Sequence, residues 1–139
     1  MQKYISNSEE ETKQIARKIT KETKSRFFAL SGELGAGKTV FAQGFAKGLG
    51  IKEKIISPTF VLIRQHQIPK TKKVLYHIDL YRLENIESLK QLGIEEICSY
   101  SNNIILIEWA DKIEKILPAD TLKISIAKIE NTKRLIIIE

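Results

Sequence analysis

One stretch, Gly32-Glu33-Leu34-Gly35-Ala36-Gly37-Lys38-Thr39, constrains this chain more than any other. Glycines at 32, 35 and 37 open backbone conformations closed to residues with a Cβ and let the chain approach an anion closely. Successive backbone N–H groups can then point inward as an anion nest. An apolar run, Phe27-Phe28-Ala29-Leu30, precedes the stretch and a helix-like run from Val40 to Leu49 follows it. The helix start adds unpaired N–H groups and the positive end of its dipole. The spacing G-x-x-x-x-G-K-[ST] between a strand and a helix is the phosphate-binding loop, Walker A. Lys38 has the reach to meet β- and γ-phosphates as a point charge, and Thr39 offers its hydroxyl to Mg²⁺.

Length and composition set the frame around that loop. The 139 residues suit one domain, 1–139. Hydrophobic content of 42% and charged content of 29% are those of an ordinary soluble globular protein. One cysteine, Cys98, excludes an internal disulfide and a cysteine metal cluster, and it is expected to be buried and inert. No apolar run is long enough for a bilayer and no signal-peptide pattern opens the chain, so a cytoplasmic protein without a membrane partner is expected. Net charge is +6, from 23 basic and 17 acidic residues. The lysines are scattered apart from Lys70-Thr71-Lys72-Lys73, and no RNP motif or zinc knuckle accompanies them, so they read as a solvated surface.

Taken in order, Lys3-Tyr4-Ile5 suggests a short strand, and Ser8 with Glu11 makes a capping box for a helix burying Thr12, Ile15, Ala16 and Ile19. After the loop, Phe41, Phe45 and Leu49 form one apolar stripe, closed by Gly50. Phe60 to Ile68 and Val74 to Leu80 read as an antiparallel hairpin around Pro69 to Lys72. Helical stretches follow at Ile86 to Leu92 and Ile94 to Tyr100, broken at Gly93. Ile104-Ile105-Leu106-Ile107 is a strand apolar on both faces. Asp111 to Leu117 is expected to be helical, ending at Pro118. Leu122, Ile124 and Ile126 alternate with polar residues, and Asn131-Thr132 turns the chain into a last strand, Leu135 to Ile138.

A phosphate loop needs a carboxylate at the end of a neighbouring strand to hold Mg²⁺. Glu108, after four apolar residues, has that place. Asp79 ends the other apolar strand, where it can orient water or help bind Mg²⁺. Thr59, after Pro58, suits a switch threonine on a loop. Arg82 suits a phosphate clamp or a salt-bridge partner, and Trp109 a stacking or a core position. His77 reads as a structural neighbour, and His66 lies mid-strand without a partner in view. The other arginines, at 17, 26, 64 and 134, fall outside these motifs.

Ser31 with the loop, Ser57-Pro58-Thr59-Phe60, His77-Ile78-Asp79-Leu80-Tyr81-Arg82, Leu106-Ile107-Glu108-Trp109 and Leu117-Pro118 occur in an order and spacing that resemble the bacterial TsaE (YjeE) family over nearly the whole chain. The resemblance implies an ATPase needed to make threonylcarbamoyladenosine (t6A) in transfer RNA. It implies TsaD and TsaB as partners, with tRNA met indirectly through their complex. Carried over position by position, it implies that Gly35, Ala36, Gly37, Lys38, Thr39 and Val40 bind ATP, with Trp109 at the nucleotide site and Thr12 near the adenine. Thr39 and Glu108 are the implied Mg²⁺ ligands, and Asp79, with Lys38, the implied catalytic residues.

The expected fold is a phosphate-loop α/β domain of three layers, helix–sheet–helix. Its sheet is mixed, with a parallel core plus antiparallel hairpins. Competing functions are a small-molecule or nucleoside kinase and a non-hydrolytic, nucleotide-dependent binding module. A GTPase is disfavoured because Asn131-Thr132-Lys133-Arg134 is followed by Leu135, not by the [NT]-K-x-D base-reading segment.

Overall fold

A computed structural model describes residues 1–33, 35–55, 63–81, 83 and 85–139. Leu34, the whole Ser57-Pro58-Thr59-Phe60 segment and Arg82 lie outside the described residues, and so do the expectations placed on Thr59 and Arg82.

The chain runs β1 (Gln2–Ser6), α1 (Glu9–Glu22), β2 (Phe27–Ser31), α2 (Lys38–Gly48), β3 (Ile63–Gln67), β4 (Val74–Asp79), α3 (Ile86–Gln91), α4 (Ile94–Ser99) and β5 (Asn103–Glu108). A 3-10 helix, Ala110–Ile116, then leads to β6 (Leu122–Lys128) and β7 (Arg134–Ile138). All seven strands join one sheet in the order β1-β7-β6-β2-β5-β4-β3. The strands β6, β2, β5 and β4 are mutually parallel. The strand β3 adds antiparallel to β4, and β7 antiparallel to β6. The expected mixed sheet is therefore present, with both hairpins supplying its antiparallel strands.

The central position of β2 follows from its composition. Phe27, Phe28, Ala29 and Leu30 are all buried, so neither face can look at water, and a strand of this kind belongs inside a parallel sheet. Phe28 and Leu30 face one apolar cluster, together with Ala16 and Ile19 of α1 and Phe41 and Phe45 of α2. Phe27 and Ala29 face the other, with Leu89 of α3, Ile94 of α4 and Ile113. These two clusters on opposite faces make the three layers.

Phe45 is fully buried and meets Phe28 edge-on, with ring centroids 4.7 Å apart; truncating such a side chain to Ala costs about 3–5 kcal/mol. Helix α2 crosses α1 closely because Gly44 and Gly48 face it. A Cβ on Gly44 would lie 2.5 Å from the Lys13 backbone, and one on Gly48 would lie 2.2 Å from Thr20 Oγ1.

Helix α1 starts with the expected Ser8 cap, but the return bond from Glu11 goes to the residue before the N-cap and not to the N-cap N–H of a capping box. Ser8 Oγ accepts the Glu11 N–H at 3.1 Å, and Glu11 Oε2 reaches back to the Asn7 N–H at 2.6 Å. The helical expectation after Trp109 is met by a 3-10 helix, whose chain enters from a left-handed Trp109 (φ 60°) and leaves helical geometry at Ile113 (φ −127°), whose side chain is buried in the core. Two further local expectations change. His66 has a partner: its Nδ1 lies 2.5 Å from Glu53 Oε1, a contact from β3 back to the segment after α2 that strand periodicity cannot foresee. Cys98 is half-buried, not buried, and burial pushes its thiol pKa up.

Candidate functional site

Between β2 and α2 the phosphate loop is shaped by its own short-range chemistry. Gly37 caps α2 in the left-handed region at φ 105°, a conformation costly for any residue with a Cβ. Gly32 (φ 150°) runs against β6 so closely that a Cβ would sit 2.5 Å from the Ile126 carbonyl oxygen. The Lys38 ammonium donates to the Gly32 and Glu33 carbonyl oxygens at 2.6 and 2.8 Å. It also lies 4.3 Å from the centroid of the Trp109 ring, a cation–π distance. Burial pushes the Lys38 pKa below the ordinary lysine value, while the negative charges of Glu108, Asp79 and Asp111 act in the opposite direction.

Facing the loop, the carboxyl ends of β4 and β5 bring the two acids together. Asp79 and Glu108 are register partners in the parallel ladder. Both are buried, with 5% and 2% of their surface exposed. Asp79 Oδ1 accepts the Tyr81 N–H at 2.9 Å, which fixes the chain as it leaves the strand. Glu108 Oε2 lies 2.5 Å from His77 Nε2. Just beyond, the Trp109 N–H donates to the Leu30 carbonyl at 3.1 Å and its ring packs on Tyr81 with centroids 5.0 Å apart. The left-handed Trp109 is thus held by β2 on one side and by Tyr81 on the other.

A cleft of about 610 Å³ joins these elements. Its floor is Gly35, Gly37, Lys38, Thr39 and Val40, and one wall is Asp79, Tyr81, Glu108 and Trp109. The opposite rim comes from the start of α1, with Asn7, Ser8, Glu9 and Thr12, and from the β6–β7 turn, with Asn131, Thr132 and Arg134. Of the described residues implied to bind ATP or Mg²⁺ or to act in catalysis, Ala36 alone does not line the cleft; it is buried. Thr12 is buried and shares a 2.7 Å hydroxyl contact with Ser6, which ties α1 to the end of β1.

Arg134 is the residue that sequence reasoning missed most clearly. From β7 it reaches back to the loop, donating from Nε to the Ala36 carbonyl at 2.9 Å and from Nη2 to the Gly35 carbonyl at 3.4 Å. Its Nη1 donates to the Glu130 and Asn131 carbonyls at 3.0 and 3.2 Å, so the guanidinium ties the β6–β7 turn to the phosphate loop. The single available signal was an arginine beside the Asn131-Thr132 turn, and nothing in the sequence says that this turn meets the loop.

The donor set has a chemical preference. Thr39 supplies a hydroxyl and Glu108 a carboxylate, with Asp79 beside it. Among the described residues no cluster of three or more His, Cys, Asp or Glu side chains gathers to hold a metal. That composition fits Mg²⁺, which takes one or two carboxylates, substrate phosphates and several waters and is rarely caged by protein alone. Among the described residues, no helix is long and apolar enough to cross a membrane.

The sequence and the fold have known relatives. The family profile described as "Threonylcarbamoyl adenosine biosynthesis protein TsaE" matches residues 6–136. The chain is 39% identical over 133 residues to the tRNA threonylcarbamoyladenosine biosynthesis protein TsaE of Rickettsia bellii (strain RML369-C), covering 94% of this chain and 90% of that one. It is 38% identical over 136 residues to the protein of the same name from Bacillus subtilis (strain 168), covering 95% and 81%. In three dimensions it resembles the crystal structure of Bacillus subtilis YdiB, with a TM-score of 0.77 and 34% identity, over 97% of this chain and 82% of that one.

Proposed function

The chain belongs to the TsaE family of tRNA threonylcarbamoyladenosine biosynthesis proteins, and we propose that within this biosynthesis it acts as an ATP hydrolase controlled by its partners. The observation that carries the reading is the meeting, in one cleft, of Lys38 and Thr39 with the register-paired acids Asp79 and Glu108.

Each group then has a task. Lys38 exchanges its two loop carbonyls for phosphate oxygens, and the loop N–H groups and the α2 N-terminus take up the remaining charge. Thr39 and Glu108 are the residues to hold Mg²⁺. The chemistry a bound Mg²⁺ supplies is withdrawal of charge from the phosphate oxygens. Asp79, already fixed through the Tyr81 N–H, accepts a hydrogen bond from the attacking water and orients it. Thr12 on the α1 rim serves the adenine end and Trp109 the phosphate end, where its ring also excludes water from Lys38.

Control by a partner is supported by the shortage of mobile positive charge among the described residues of the cleft. Among the described residues its one arginine is Arg134, and that guanidinium is committed to loop and turn carbonyls. In other phosphate-loop enzymes an arginine supplied in trans is worth about 10³–10⁵ in rate. The TsaD and TsaB pair is the proposed source of the completing surface, and tRNA is reached through that complex. Such an arrangement makes ATP use conditional on assembly.

The test is steady-state phosphate release by the purified protein, alone and with the TsaB–TsaD pair. Slow release alone and a rise of on the order of tenfold or more with the pair is expected, given the size of trans charge effects. A high rate unchanged by partners would overturn the reading. Transfer of phosphate to an added small acceptor would point to a kinase.

A further inference from the structure

His77 sits two residues before Asp79 on β4, so both side chains lie on the same face of the sheet. Register pairs Asp79 with Glu108 and His77 with Leu106. Glu108 therefore stands directly beside Asp79 and only diagonally from His77, yet its Oε2 contacts His77 Nε2 at 2.5 Å. The imidazole is 1% exposed and Glu108 2%. An ionised carboxylate only accepts, so this contact puts the ring proton on Nε2. Among the described residues, His77 Nδ1 is buried without a hydrogen-bond partner. In the Nε2–H tautomer it carries no proton, and no buried N–H is left orphaned. The contact engages Oε2 and not the second carboxylate oxygen, Oε1.

We propose that His77 is a positioning residue for Glu108: by holding Oε2 it fixes the side chain and leaves Oε1 as the oxygen available to the cation. This inference rests on the proposed ATP·Mg²⁺ reading of the cleft. Without the imidazole, Oε2 loses the contact that fixes it, and the carboxylate no longer presents Oε1 in one orientation, while the Lys38 bonds to the loop carbonyls do not involve His77. A carboxylate that ligates a metal is ordinarily oriented by such an outer hydrogen bond, whose loss costs about 10–100-fold in metal affinity.

The experiment uses the full chain and calorimetry with the non-hydrolysable analogue adenylyl imidodiphosphate, in Mg²⁺ and in EDTA. His77→Leu is expected to lose roughly tenfold or more of the Mg²⁺-dependent gain in affinity while its affinity in EDTA stays within about twofold of wild type. His77→Gln, whose amide N–H extends about as far as Nε2, is expected to restore most of the gain. An undiminished Mg²⁺ gain in His77→Leu overturns the proposal. So does an equal loss in Mg²⁺ and EDTA, which marks a purely structural role. A wild type whose affinity ignores Mg²⁺ overturns the ATP·Mg²⁺ reading together with this one, and is told apart by needing no variant. If His77→Leu does not fold, nitrogen-15 spectra of the wild-type imidazole decide: a proton on Nε2 supports the proposal and an Nε2 without a proton overturns it.

Discussion

The two sides of the cleft are built in different ways. The phosphate-loop side is made by residues 32–39, and its bonds are local: Lys38 to Gly32 and Glu33, and the Ala36 N–H to the Glu33 carbonyl. The carboxylate side comes into being only when β4 and β5 lie parallel in one register. His77 and Glu108 are 31 residues apart, and Asp79 and Glu108 meet as ladder partners. Short-range chemistry thus shapes the side proposed to grip phosphate, and sheet assembly shapes the side proposed to hold metal and water. Where the loop does depend on a distant residue, through Arg134, the contact is to loop carbonyls and braces a shape already formed.

That difference separates binding from chemistry, and the largest expected effect tests it on the carboxylate side. Asp79→Asn keeps the size of the side chain and its acceptor for the Tyr81 N–H, but removes the basic charge facing water. Turnover in the partner complex is expected to fall on the order of 10²–10⁴-fold, the usual contribution of a positioned proton acceptor. ATP affinity is expected to move far less. Single-turnover phosphate release beside calorimetry separates the two quantities. If affinity fell in step with turnover, Asp79 would belong with the phosphate-gripping side and the division would be wrong.

On the loop side the matching change is Lys38→Ala. Charge-assisted hydrogen bonds are worth about 1.5–3 kcal/mol each, so ATP affinity is expected to drop by about 3 kcal/mol, on the order of 10²-fold. The fold should survive, since Lys38 bonds only loop carbonyls and packs on Trp109 from the site side. Calorimetry showing equal affinity for wild type and variant would remove Lys38 from the binding machinery.

What could be read from the sequence follows the same line. The loop, the Ser8 cap of α1, the two hairpins and the doubly apolar β5 were legible because each is encoded by neighbours a few residues apart. Glu108 and Asp79 were legible as strand-end acids. Their side-by-side pairing was not, because it depends on strand order, and two apolar strands can be neighbours or be separated without changing their own pattern. His77 read as a structural neighbour for the same reason, since its partner is set by register. The Arg134 brace spans 98 residues to Ala36, and His66 meets Glu53 across a loop. Neither leaves a periodic or spaced trace. The α2 apolar stripe was visible, but the closeness of α1 to Gly44 and Gly48 needed both helices in place.

The smallest expected effect concerns the far rim, where α1 begins, and it asks whether this rim belongs to either side. Ser8 caps α1 by accepting the Glu11 N–H, and it also lines the cleft. Ser8→Ala leaves that N–H without its side-chain acceptor, and losing such a cap costs about 1 kcal/mol of stability. For a chain of this length that is a fall of roughly 3–4 °C in Tm. Thr12, deeper in the cleft, should hold its place, because its hydroxyl is tied to Ser6, and Ser6 Oγ also donates to the Ser8 carbonyl, which the substitution keeps. ATP affinity is therefore expected to change by less than about threefold, under the roughly 0.7 kcal/mol that factor represents. Thermal unfolding and calorimetry on the same preparation measure both. A tenfold loss of affinity with Tm unchanged would show that the α1 rim grips the nucleotide directly through Ser8, and the cleft would then have a third binding side that depends on neither the loop nor the β4–β5 register.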